Sequence, residues 1–305
     1  MKEHSDHPVP AEIKEAFDRR HEHQLQAADA RFKFAELVRP DDNARKSKAA
    51  LVEAVGRTLG IDTGKYRTPV KDRFDRLTSS NLFSGEQYAN IFDLHDLDFN
   101  PPMPERADHH FWWADSNWWA QGPYSVTDRP DGLWFFGRMN YDGASTTYRQ
   151  FGLKARFEIQ ANRIPPSSSG RYRSQPFVEL WGGMLGFTLD GGWTSGDFWS
   201  NCWMIRRQTL MQHVFGGTRI LGEAVEAPQI IDIQSYNTSR HFAAPGFQWM
   251  PWLEIGRPAP GLSVWAELEV RFDIQLEGDS GMWTGAGGSS HHLVARTFQW
   301  PLVAI

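Results

Sequence analysis

Val264-Trp265-Ala266-Glu267-Leu268-Glu269-Val270-Arg271-Phe272-Asp273-Ile274-Gln275-Leu276-Glu277 alternates over its whole length. Every second residue from Val264 to Leu276 is apolar. The residues between them are charged or amide-bearing apart from Trp265. Side chains on a strand point to opposite faces in turn, so this period of two predicts a long strand with one packed and one wet face. Such a strand belongs to an antiparallel sheet. Phe151–Ala161 repeats the pattern, with Phe151, Leu153, Ala155, Phe157 and Ile159 on one side and Lys154, Arg156, Glu158 and Gln160 on the other.

Further strand candidates are 110–119, 132–140, 176–181, 186–190, 201–215, 218–224, 229–236, 247–255 and 292–304. Turn signals such as Asp131-Gly132, Asp142-Gly143, Asp190-Gly191-Gly192, Gly216-Gly217 and Pro260-Gly261 separate them. Residues 161–176 and 278–290 read as loops, the first carrying Arg163, Arg171 and Arg173 and the second an isolated Trp283. The expected fold class is α+β, with a small helical N-terminal region (1–95) followed by a large antiparallel, jelly-roll-like β-sandwich (96–305).

The N-terminal expectation rests on a change of period. Ile13, Phe17, Leu25, Ala28, Phe32 and Ala35 recur near 3.6 residues with charges between them, and Arg39-Pro40 marks the stop. Asp41-Asp42-Asn43 offers a cap for a second helix, with Leu51, Val52, Val55 and Leu59 inward and Gly60 as terminator. Short helices at 68–77 and 84–92 follow from a Thr68-Pro69 start and a Ser84/Gln87 capping box.

Composition divides the chain near residue 80. All 14 tryptophans lie beyond residue 80, where Lys154 is the sole lysine. Interface cores favour tryptophan and arginine over lysine, and lysine commonly guards sheet edges, so this half reads as an assembling surface. The net charge of −5 argues against a nucleic-acid partner. No apolar run reaches the ~18 residues of a membrane span or the shape of a signal peptide, so the default expectation is cytoplasmic, with leaderless export open. The single cysteine, Cys202, sits in an apolar strand and reads as a buried, inert thiol.

Three chemistries rest on particular residues. Aromatic faces stack on the C–H faces of sugar rings, and Trp112, Trp118, Trp181 and Trp283 are the candidate ligand or partner contacts from a cluster that also holds Trp249 and Trp252. Glu179, flanked by Phe177 and Trp181, with Glu269 or Glu158 as second carboxylate, is the candidate pair for glycan hydrolysis. The alternative for these acids is cross-strand pairing with Arg156 and Arg271. A Glu-x-Asp-x-x-Glu signature is absent. His109, Asp108 and Asp115 with His213 or His291 are the best metal-ligand set, but their spacing does not demand one; the expectation is no metal and no cofactor.

The leading expectation is therefore a non-catalytic binding or assembly protein, contacting itself, a protein partner or a carbohydrate-type ligand. A glycan-active hydrolase is the alternative, and a membrane-inserting, toxin-like β-protein the third.

Overall fold

The computed structural model describes residues 9–37, positions 51, 54–55 and 57–60, and 112–305 apart from 130–131, 142–145, 175, 189–198, 235–237, 245, 279, 285–292 and 300–301. A long helix, α1 (Ala11–Leu37), precedes the strands. In chain order these are β1 (Trp112–Ala120), β2 (Tyr124–Arg129), β3 (Gly132–Tyr141), β4 (Thr147–Ile159), β5 (Arg171–Ser174), β6 (Phe177–Thr188), β7 (Trp199–Val214) and β8 (Gly217–Glu226). They continue with β9 (Gln229–Ile233), β10 (Thr238–Ala243), β11 (Gly246–Trp249), β12 (Leu253–Gly256), β13 (Val264–Glu277), β14 (Ser280–Thr284), β15 (Leu293–Gln299) and β16 (Leu302–Ala304).

Two antiparallel sheets pack into a sandwich. The six-stranded sheet runs β1-β4-β13-β7-β8, with β9 continuing the β8 lane along the other end of β7. In the seven-stranded sheet two lanes are each shared by two short strands. β10 and β11 lie end to end along one side of β6, and β14 and β15 lie end to end between β6 and β3, with β2 outside β3. A third, three-stranded sheet, β12-β5-β16, adjoins them.

The alternation of 264–277 places the apolar set of β13 against the seven-stranded sheet. Leu268, Val270, Phe272 and Ile274 pack with Phe151 and Leu153 of β4, Phe135 of β3, and Val178, Leu180 and Met184 of β6. Phe151 and Phe272 stack at 5.0 Å between ring centroids. Each such side chain contributes about 1.5–3 kcal/mol by leaving water. One buried hydrogen bond ties the two layers, Ser200 Oγ donating to Gly281 O (2.8 Å), and another spans the seven-stranded sheet from β2 to β14, Tyr124 OH donating to Met282 O (2.9 Å). Cys202 is buried in this core, and burial pushes its thiol well above the ordinary value, as an inert cysteine requires.

The other face of β13 departs from expectation. It is not wet: all fourteen residues of the strand are buried. Helix α1 lies across part of this face, with Ile13 and Phe17 packed on Met211 and Trp265. The charged residues around this contact are matched in register. Arg156 and Arg207 flank Glu267 and Glu269 from the neighbouring strands. The alternation reports two faces, and it does not say which of them meets water.

Other differences are local. The two strands expected at 176–181 and 186–190 are one, β6, because Gly182 and Gly183 continue the strand. A Cβ on Gly183 would sit 2.5 Å from Phe242 O, so the glycine permits the close approach of β10. The expected strand 247–255 is divided at Met250-Pro251-Trp252 into β11 and β12, and 292–304 into β15 and β16. Strands β2, β5, β10 and β14 were not anticipated. β5 and β14 lie inside the expected loops. Positions 51, 54, 55, 57 and 58 are helical and Gly60 has φ 68°, yet Leu51, Val55 and Leu59 are exposed rather than inward. The short helices expected at 68–77 and 84–92 lie outside the described residues.

Candidate functional site

The strongest surface feature grows from the break between β11 and β12. Proline has no N–H to give a ladder, so Pro251 ends one strand and lets the chain change sheets. Trp249 belongs to β11 in the seven-stranded sheet, and Leu253 opens β12 in the small one. The link is anchored from within: Met250 N donates to Pro176 O (2.8 Å), and the buried Gln208 amide donates to Pro251 O. Met250 and Pro251 are buried, whereas Trp249 and Trp252 on either side stand 52% and 57% exposed. Three steps of about 3.8 Å hold their Cα atoms within about 11 Å of each other.

Charged groups lie against the Trp252 ring and the Trp249 backbone. On β5, Arg171 and Arg173 alternate outward while Tyr172 and Ser174 turn inward. The Arg173 guanidinium lies over the Trp252 ring, 5.2 Å from its centroid. Arg173 also donates to Glu254 Oε1 (3.1 Å), and Arg171 donates to Glu254 Oε2. The Arg173 hydrogen bond, with the nearby charge of both arginines, holds the Glu254 carboxyl below its ordinary value. Beside Trp249, Arg206 donates to Trp249 O (2.7 Å) and to Glu226 Oε2 (2.7 Å). Two indoles with fixed guanidinium and carboxylate groups around them can stack on an apolar ring face and hydrogen-bond to polar groups at its rim.

The residues singled out in the sequence are distributed otherwise. Trp118 is 36% exposed, at the β1 edge opposite Leu153. Trp283 is 2% exposed and fills space in β14, edge-on to Phe187 at 4.8 Å and beneath Arg138; it does not stand free in a loop. Trp112 and Trp181 occupy strand positions in β1 and β6, and their side chains lie outside the described set. His109, Asp108 and His291 lie outside the described residues, as does the Asp115 side chain; His213 is exposed near the end of β7.

The carboxylates do not converge. Glu179 alternates with the core residues Val178 and Leu180, so it points away from the core on the seven-stranded sheet. Glu158 and Glu269 lie on the opposite outer face, beyond the other sheet, and Glu158 accepts a bond from Ser263 Oγ (2.7 Å). Two packed sheets thus separate the members of the expected pair. Burial opposes ionisation of Glu269, but Arg207, aided by His21 and Arg271, holds it ionised with a pKa of about 2. Its cross-strand partner is Arg207 of β7, whereas Arg271 lies on the same strand and Arg156 pairs with Glu267.

Beneath α1 the same pairing becomes a buried network. Arg207 Nε donates to Glu269 Oε2 (2.8 Å) and its Nη2 to Glu267 Oε1 (3.1 Å). Arg156 Nε donates to Glu267 Oε2 (2.8 Å) and its Nη2 to Asp18 of α1 (2.6 Å), which also accepts from Lys154 (3.0 Å). Arg20 of α1 pairs with Glu223, and His21 packs edge-on against Trp119 at 4.7 Å.

Arg171 and Arg173 were visible in the sequence only as a basic loop, and Trp249 and Trp252 only as members of a cluster. The signal that would have joined them is the proline between the two tryptophans.

No protein-family model matches the chain and no curated protein matches it. Among the solved structures that align with the chain are two weak matches. The enzymatically active domain of bacteriophage CBA120 tailspike protein 4 aligns over 62% of this chain and 19% of its own, with 10% identity and a TM-score of 0.20. TmCBM61 in complex with β-1,4-galactotriose aligns over 62% of this chain and 89% of its own, with 9% identity and a TM-score of 0.19. The alignment thus spans about a fifth of the tailspike chain. Likeness at this level carries neither fold nor ligand from those proteins to this one.

Proposed function

We propose that this is a non-catalytic β-sandwich binding protein that takes a carbohydrate-type ligand where the seven-stranded sheet gives way to the three-stranded one, with Trp249 and Trp252 as its stacking residues. The observation that carries the reading is the pair of half-exposed indoles three residues apart, held by a buried Met250-Pro251 link and framed by Arg173, Glu254 and Arg206. A rigid aromatic platform with polar groups at its edge loses little entropy on binding a ring-shaped polyol. Calorimetric titration against an oligosaccharide panel tests it. Binding is expected for at least one glycan, with Trp252→Ala lowering affinity about tenfold or more at unchanged melting temperature. A panel without binding, or binding that survives loss of both Trp249 and Trp252, defeats the reading.

A second reading, self-association, is favoured by the β7–β8 hairpin. Phe215 at its Gly216-Gly217 tip is fully exposed, and Ile220 and Val225 stand exposed along β8, a strand at the sheet edge. Light scattering over a concentration series, with Phe215→Ser and Ile220→Lys, tests it. A monomer at every concentration removes it.

A further inference from the structure

We infer that the glycan taken at this face is acidic, a uronic-acid-type oligosaccharide whose carboxylate is held by Arg171 and Arg173. The inference rests on the carbohydrate reading of the same surface.

The argument begins with local charge. The chain as a whole carries −5, and beyond residue 80 acids outnumber bases. The outward face of β5 and β12 has the opposite balance, because two arginines share one carboxylate, Glu254. Arg171 and Arg173 are mostly or half exposed, at 63% and 47% of their side chains, so the excess positive charge is at the surface. The depressed Glu254 carboxyl reports the same positive field.

Geometry then places that charge beside the platform. Glu254 bonds to one terminal nitrogen of each arginine, Nη2 in both cases, and each planar guanidinium carries five N–H donors. The remaining donors of both arginines are not engaged by Glu254, and Arg173 lies over one face of the Trp252 ring. A hexuronate presents a stackable ring and a carboxylate on that ring. Stacked on the part of Trp252 that Arg173 does not cover, with its carboxylate turned past the ring edge toward β5, it receives charge-assisted bonds of the kind arginine makes best. A neutral hexose of the same linkage keeps the stacking and loses the charge-assisted bonds. Glu254 sets the strength, since it competes with the ligand for the same two guanidinium groups.

The test titrates the full chain with a homo-oligomer of galacturonate and with its carboxyl-reduced neutral counterpart, at low salt and at about 0.5 M salt. The acidic oligomer is expected to bind about tenfold or more tightly than the neutral one. High salt erodes the difference. Arg171→Gln with Arg173→Gln removes the preference for acid, whereas Glu254→Gln raises affinity for the acidic oligomer several-fold and leaves the neutral one unchanged. These side chains are at the surface, so melting temperatures serve as the control for folding. Equal or tighter binding of the neutral oligomer overturns the acidic-ligand inference and leaves the glycan reading standing. Binding of neither oligomer overturns the inference, and an empty wider panel overturns the glycan reading with it.

Discussion

The two faces of β13 are both buried, yet they are built from opposite chemistry. Toward the seven-stranded sheet, Leu268, Val270, Phe272 and Ile274 meet other apolar side chains, and nothing about that contact is directional. Toward α1, Glu267 and Glu269 are buried only because Arg156 and Arg207 reach them from adjacent strands in matched register. The first face is favoured by leaving water and tolerates exchange of one apolar side chain for another of its size. The second pays desolvation and recovers it through particular partners, so it is stable as a set and fragile to single losses.

Breaking each face separately exposes that difference. Phe272→Ala leaves a cavity at the Phe151 stack and is expected to cost about 3–5 kcal/mol in denaturant unfolding, with α1 still docked. Glu267→Gln removes the charge that Arg156 and Arg207 share in a dry layer, leaving them Asp18 and Glu269, and is expected to cost about 3 kcal/mol, although it changes almost no volume. Acid sharpens the comparison without mutation. The Glu269 carboxyl is depressed from 4.5 to about 2 in the folded chain, so its contribution is complete above pH 4.5 and is lost as pH falls from there toward 2. Unfolding free energies from urea titrations across that window are expected to drop by roughly 3 kcal/mol, and Glu269→Gln to flatten the drop. Asp18 shifts the same way, through Arg156 and Lys154 against a burial cost. Its side chain is 47% exposed, so Asp18→Asn is expected to cost no more than about 1 kcal/mol. Faster hydrogen exchange confined to α1 is the readout.

The sequence made the sandwich legible because alternation over 264–277 and 151–161 is long, and turn pairs punctuate it. Short strands escaped for a physical reason: β5, at four residues, and β14, at five, are too brief to show a period and are held by neighbours on both sides. The α1-facing layer escaped because charged residues at alternate positions look alike whether water or a matched partner faces them. Phe17 and Ile13, four residues apart on α1, did signal a docking stripe, though the surface that receives it, Met211 and Trp265, lies far along the chain. The candidate site was half legible. Aromatic content marked the region, while the positions depended on Pro251 dividing a strand and on β5 turning two arginines of an expected loop onto one face.

Gln208 gives one further consequence. Its amide donates to Ser174 O (3.3 Å) and Pro251 O, and its oxygen accepts from Ser174 Oγ (2.8 Å), all within the dry interior. An amide has a donor end and an acceptor end, so this contact accepts one arrangement and rejects its neighbours. Sliding β5 by one residue would turn Arg173 inward and set a guanidinium against an amide nitrogen. The native register of the small sheet is thereby favoured over its neighbours, and it is the register that puts Arg171, Arg173 and Trp252 on the same side.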